Sequence, residues 1–139
     1  MAEFELSAGE DPDASAAVLR ALLAFNQGFA GPADSRPLEL LLRDAAGTVE
    51  GGLTGRTRYR WLFVENFFIP EHRRGNRLGA RMLAAAEAEA QARGCIGAFL
   101  DTNSFQAPGF YEKQGYARFG ALEDYPSVGM AKYYYRKVF

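Results

Sequence analysis

The stretch WLFVENFFIPEHRRGNRLGARMLAAAEAEAQARG, Trp61 to Gly94, decides the reading of this chain. Its first nine residues are almost all apolar, aromatic or β-branched, interrupted only by Glu65 and Asn66. That predicts a strand buried on both faces. A basic, glycine-containing loop follows, and then a helix in which Leu78, Met82, Ala86 and Ala90 share one stripe while Glu87 and Gln91 fall elsewhere. Alanines on the stripe allow close approach to a sheet, and Gly94 supplies the stop. CIGAFLDT, from Cys95, then predicts a second fully buried strand. Strand, helix, strand in this order makes a right-handed crossover between parallel strands.

Working outward, Phe4 and Leu6 suggest a short first strand, Glu10 to Asp13 a turn, and Asp13 a cap for a helix running to about Gly28. Leu38 to Arg43 and Val49 to Thr57 read as two strands joined by a turn at Asp44 to Gly47, the second loosened by Gly51, Gly52 and Gly55 through a bulge or close packing. Downstream, APGFYEKQG gives a short helix, and YARFGALEDYP and GMAKYYYRKVF give two more strands, taken as antiparallel. The expected architecture is α/β (α+β): a single domain over residues 1–139 with a mixed, mostly antiparallel sheet of six to seven strands and helices on both faces.

Composition bounds the function. The chain has 139 residues, 48% apolar and 24% charged, the balance of one soluble domain with its own core. One cysteine and one histidine, Cys95 and His72, rule out an internal disulfide and a cysteine- or histidine-rich metal centre. The first residues carry no base and no apolar stretch, unlike a secretory signal, and no apolar run approaches the ~20 residues of a membrane span. A cytoplasmic protein is expected. Net charge is −1, so no overall field recruits nucleic acid or anionic lipid. Locally, residues 56–81 hold seven arginines against Glu65 and Glu71. Arg56, Arg58 and Arg60 read as a solvated strand face. Arg73, Arg74 and Arg77 surround a glycine at a helix start.

The first turn of a helix offers unpartnered N–H groups and the positive end of its dipole, which attract phosphate oxygens. Gly75 and Gly79 flank this turn, and Arg74 and Arg77 add charge-assisted donors. The Gly-Lys-Ser/Thr of a P-loop and the G-x-G-x-x-G of a dinucleotide fold are both absent.

RGNRLG at Arg74 to Gly79, after a buried strand and opening a long helix, resembles the Gln/Arg-x-x-Gly-x-Gly/Ala signature of the GNAT superfamily of acetyl-CoA-dependent N-acetyltransferases. FYEKQGY, Phe110 to Tyr116, resembles that family's aromatic-tyrosine pair before a glycine-aromatic step. The resemblance covers Trp61 to Phe119; earlier residues share only the order of elements. It implies acetyl-CoA as co-substrate, with no metal, held by Phe67, Phe68, Ile69, Arg74, Gly75, Asn76, Arg77, Leu78, Gly79, Ala80 and Ser104. Amides of Gly75, Asn76, Leu78, Gly79 and Ala80 would grip the pyrophosphate, and those near Phe68 and Ile69 the thioester carbonyl and pantetheine arm. Two positions depart from the pattern. Arg77 replaces the middle glycine, its guanidinium reaching a phosphate instead, and Ser104 stands where an asparagine often precedes the tyrosine helix.

Acetyl transfer to an amine needs a neutral amine, a stabilised oxyanion and a protonated leaving thiolate. An amine of pKa ~10.4 is about 3.4 units, or roughly 4.6 kcal/mol, from neutrality at pH 7. Glu65, a carboxylate inside an apolar strand, is the candidate base that removes the proton, directly or through water; pairing with Arg58 or Arg60, or a place on an exposed edge, is its structural alternative. Tyr111 matches the tyrosine the family commonly uses as general acid. Asn26, Tyr59, Trp61, Tyr125, Glu123 and Asp124 are candidates for an acceptor pocket, the acids favouring a cationic amine. Cys95 and His72 receive no catalytic role.

The expected activity is therefore transfer of acetyl from acetyl-CoA to a primary amine by direct attack. The acceptor is an amine-bearing small molecule or peptide, with no nucleic acid and no membrane as partner. A non-catalytic acyl-CoA-binding domain would keep the loop without needing Tyr111 or Glu65. A nucleic-acid module is disfavoured because Glu87 and Glu89 follow the arginines and no aromatic is interleaved among those of the loop. KYYYRKVF, at the C-terminus, either closes the sheet edge or pairs across a homodimer.

Overall fold

The computed structural model describes residues 3–139. They form two compact units, one ending at Ala33 and one spanning Asp34–Phe139. The N-terminal unit is built on a helix, α1 (Pro12–Ala30). Proline fits the first helical position, and Asp11 accepts from the Ala14 amide at 3.0 Å. The cap is therefore Asp11 and not Asp13. The strand expected at Phe4 and Leu6 does not form; both side chains are exposed in irregular backbone. Two apolar residues without a pairing partner do not make a strand.

The second unit is a six-stranded sheet in the order β1-β2-β3-β4-β6-β5. The strands are β1 (Arg36–Arg43), β2 (Val49–Arg58), β3 (Trp61–Phe68), β4 (Gly97–Asn103), β5 (Ala117–Glu123) and β6 (Ala131–Val138). Helix α2 (Leu78–Ala92) joins β3 to β4, and α3 (Pro108–Lys113) joins β4 to β5. All pairings are antiparallel except β3 with β4. KYYYRKVF, expected to close the sheet edge or pair across a homodimer, is instead an interior strand, flanked by β4 and β5. The mixed, mostly antiparallel sheet is as the sequence predicts. Both helices of this unit lie on one face of it. Met82, Leu83, Ala86 and Ala90 of α2 are buried, and Leu83, Ala86 and Ala90 form one core with Leu62, Val64, Ala98, Leu100 and Tyr135. Tyr111 of α3 packs on Tyr135, ring centres 6.3 Å apart.

β3 and β4 are not buried on both sides. Leu62 and Val64 are buried, while Trp61 and Phe63 are half-buried on the other face, where Phe63 stacks on Phe99 at 4.8 Å. Aromatic side chains covering one another give this face the apolar sequence of an interior strand without full burial. Glu87, expected on the solvent side of α2, is buried, accepting from Tyr116 and Lys137.

One irregularity positions the site. Val64 pairs with Gly55 and Asn66 with Thr54, so Glu65 is an extra residue bulged from β3. At Gly55 a side chain would collide with the Phe63 carbonyl, so glycine lets the strands close up beside the bulge. The bulge resets the alternation, so that Phe67 rather than Asn66 packs against the core. Parallel pairing of β3 with β4 covers only four rungs, Trp61↔Gly97 to Val64↔Leu100, and then the strands part.

Candidate active site

The loop between β3 and α2 is held from outside and open inside. Arg73 binds Glu50 at 2.6 Å and His72 approaches the same carboxylate at 3.2 Å, so these two basic residues tie the loop to β2. Arg74 donates through Nε to the Ile69 carbonyl at 2.8 Å, fixing the exit of β3. Gly75, Asn76 and Arg77 then take positive φ values of 106°, 53° and 57°. Arg77 is the residue from which α2 starts, and its ψ of 30° places it in the left-handed well. The family pattern's middle glycine is explained by that conformation, and arginine adopts it at a cost of about 1 kcal/mol.

Helix α2 begins with no side-chain cap. Among the described residues, the N–H groups of Gly75, Asn76, Arg77, Gly79 and Ala80 have no acceptor. That of Leu78 is taken by the Gly75 carbonyl at 3.1 Å, so it is not available to a ligand as expected. No acidic residue occupies this first turn. An unneutralised dipole and free donors are the chemistry that suits an anion. Packing at Gly79 is close: a Cβ there would lie 3.3 Å from Ile69 and from the Phe110 ring.

These groups open into a cleft of about 720 Å³. Of the expected cofactor residues, Phe67, Phe68, Ile69, Arg74, Gly75, Arg77, Leu78, Gly79 and Ala80 line it, and Asn76 and Ser104 do not. Ser104 instead accepts from the Ala131 amide at 3.0 Å while its own N–H binds the Ala131 carbonyl, pinning the end of β4 to β6. The sequence reading missed Thr102, Phe105, Gln106 and Phe110 on the opposite wall. Gln106 Oε1 accepts from the Thr102 hydroxyl and the Asn103 amide, an arrangement that leaves its NH2 group as donor. Phe110 lies within FYEKQGY, directly before Tyr111, and its ring is the signal that marks it.

Tyr111 is brought to the same cleft. Its ring is wedged among Phe110, Tyr116 and Tyr135. Burial, with the nearby Asp101 charge, pushes its phenol up to about 12, so the hydroxyl stays protonated across the physiological range. Glu65 takes the structural alternative of an exposed place. It is exposed on the bulge, with neither Arg58 nor Arg60 as an ion partner, so the argument from a buried carboxylate does not apply to it. Its position is the informative fact: it follows the last paired rung, where β3 leaves β4. Of the acceptor candidates, Tyr59 and Trp61 lie at the closed end of that pairing, away from the opening. Asp124 accepts from the Gly129 amide within the β5–β6 turn. Cys95 is buried, which pushes its thiol up and away from reactivity.

A basic helix start, a parted parallel pair and a buried tyrosine converge on one cleft, and the Acetyltransferase (GNAT) family model matches residues 9–116 of the chain. The chain belongs to the GNAT family. This GNAT acetyltransferase is 40% identical over 119 residues to acetyltransferase Atu2258 of Agrobacterium fabrum, covering 86% of the chain and 87% of that protein. It is 41% identical over 97 residues to the blasticidin-S acetyltransferase of Streptomyces morookaense, covering 67% and 71% respectively. A crystal structure carrying an acetyltransferase assignment, from Agrobacterium tumefaciens, superposes with a TM-score of 0.88 at 35% identity, over 99% of this chain and 100% of that one. No helix among the described residues of the acetyltransferase is long and apolar enough to cross a membrane.

Proposed function

We propose that this acetyltransferase moves the acetyl group of acetyl-CoA to the amine of a small molecule by direct attack. The observation that carries the reading is the uncapped start of α2, with free N–H groups at Gly79 and Ala80, opening into the same cleft as the Tyr111 side chain. A pyrophosphate takes those donors and the Arg77 guanidinium. The arm then runs along β3 beyond Val64, where pairing with β4 has ended and alternate main-chain groups of residues 65–68 face the gap. One of these amides holds the thioester oxygen as charge develops on it.

Tyr111 donates a hydrogen bond to the departing sulfur. Full proton transfer from a phenol near 12 to a thiolate of pKa ~8.5 is uphill by about 5 kcal/mol. The hydroxyl therefore stabilises the leaving group, and the proton that finally neutralises it comes from the ammonium formed on attack. Glu65, at the mouth of the fork and open to water, receives the proton lost from the incoming ammonium through solvent. The blasticidin-S acetyltransferase relationship supports a small-molecule acceptor.

The test is a panel of amines, blasticidin S included, assayed by release of free thiol from acetyl-CoA, with calorimetric titration of the co-substrate. At 100 times its dissociation constant acetyl-CoA is expected to stabilise the fold by about 2.7 kcal/mol. No binding, or binding without amine-dependent thiol release across the panel, would overturn the proposal.

A further inference from the structure

On the sheet face turned away from α2 and α3, the chain already holds an ammonium ion of its own. The Lys132 Nζ lies 3.5 Å from the Asp101 carboxylate. It stands 4.8 Å from the centre of the Tyr125 ring and 5.9 Å from that of Tyr134. One carboxylate and two ring faces around one ammonium is the chemistry that recognises organic cations.

The register fixes where this cage lies. Leu100 and Tyr135 are paired and buried beneath the helices, so Asp101 and its partner Tyr134, one residue along each strand, face the other side. Lys132, two residues from Tyr134, shares that side. Asp101 also follows Leu100 directly, and Leu100↔Val64 is the last rung before β3 and β4 part. Asp101 thus stands at the fork on one face, while the next residue, Thr102, lines the cleft on the other.

We infer that Asp101, Tyr125 and Tyr134 form the recognition site for an ammonium group of the acceptor, and that Lys132 is an internal stand-in which the acceptor displaces. The inference rests on the acetyltransferase reading and deepens it: the acceptor is a cationic amine. Partly exposed ion pairs are weak, so an incoming cation displaces Lys132 at small cost.

Tetramethylammonium, which cannot be acetylated, is the probe, with tert-butanol as its neutral counterpart, each titrated into the full chain and followed by tyrosine fluorescence. Lys132→Met is expected to bind tetramethylammonium at least fivefold more tightly than the parent. Adding Asp101→Asn abolishes that gain, and Tyr125→Leu, in an exposed turn, halves it or worse in the Lys132→Met background. tert-Butanol responds to none of these changes. For an amine found to be a substrate, KM falls in Lys132→Met and rises in Asp101→Asn while the KM of acetyl-CoA stays constant. Equal tetramethylammonium affinity in parent and Lys132→Met, or a gain that survives Asp101→Asn, overturns the inference. Calorimetry with acetyl-CoA on the same proteins separates the failures. Lost acetyl-CoA binding in the parent strikes the reading of the cleft, whereas intact binding with an unresponsive cage strikes this inference alone.

Discussion

The Tyr116 hydroxyl donates to Glu87 at 2.7 Å in the interior, and Lys137 donates to the other oxygen of the same carboxylate at 2.9 Å. Glu87 is on α2, Lys137 on β6, and Tyr116 follows α3. The carboxylate therefore joins the helix with the uncapped start to the segment that carries Tyr111. Tyr116→Phe removes one of its two partners. Urea unfolding is expected to show a loss of about 1 to 3 kcal/mol, because the buried acid keeps its desolvation cost and loses a bond. A variant as stable as the parent would mean the pair contributes nothing.

Tyr111→Phe separates chemistry from binding. If the hydroxyl acts on the leaving sulfur, kcat falls by roughly 100-fold or more while the KM of acetyl-CoA changes little. The same variant has an alkaline signature. A phenol raised from 10 to about 12 in the folded state gives stability that is complete below pH 10 and is lost as pH climbs toward 12. By pH 11 that loss is about 1 kcal/mol. The parent should lose this much more stability between pH 9 and pH 11 than Tyr111→Phe does. Parallel curves would contradict the raised phenol.

Arg77→Gly sets backbone against charge. Glycine relieves the left-handed strain at φ 57°, worth about 1 kcal/mol, but gives back a similar amount as chain entropy in the unfolded state. Melting temperature should hardly move. Acetyl-CoA affinity should drop severalfold at low salt, with the difference shrinking as salt rises, because a guanidinium contact to phosphate is screened. A salt-independent loss would place the arginine's contribution in loop shape instead.

Ser104→Ala and Gln106→Ala make a contrasting pair. The serine closes a contact with Ala131 and lies off the cleft, so its loss should cost about 1 kcal/mol of stability and leave acetyl-CoA affinity unchanged. The glutamine lines the cleft, so its loss should weaken acetyl-CoA binding. The reverse pattern, measured by calorimetry and thermal melting, would restore Ser104 to the site.

The sequence disclosed what depends on local chemistry. Gly75 and Gly79 around a basic turn, and Phe110 beside Tyr111, pointed to the glycine-flanked helix start and to the tyrosine that share one cleft, because each is set by a few adjacent residues. It hid what depends on register. An extra residue at Glu65 is invisible until β3 is aligned with β2, and that shift decides whether Asn66 or Phe67 turns inward. Burial of Glu87 was unreadable for a similar reason. Its helical phase puts it beside the stripe, and its partners arrive from 29 and 50 residues further along the chain. Phe63 and Phe99 misled in the opposite sense, since stacked rings imitate an interior strand.

The parallel ladder ends at Val64 and Leu100, so beyond it β3 and β4 no longer pair with each other. A rod-like molecule bearing amides along its length would add to β3 there as a guest strand, hydrogen-bonded on the side that β4 has vacated. On this view the end of the β3–β4 ladder is completed by the co-substrate, which is both reagent and building material. Solvent exchange would then slow, when the guest is seated, at whichever of Phe67 and Phe68 turns its amide away from β2, and a guest whose amides were replaced by esters would be gripped at its phosphate end alone.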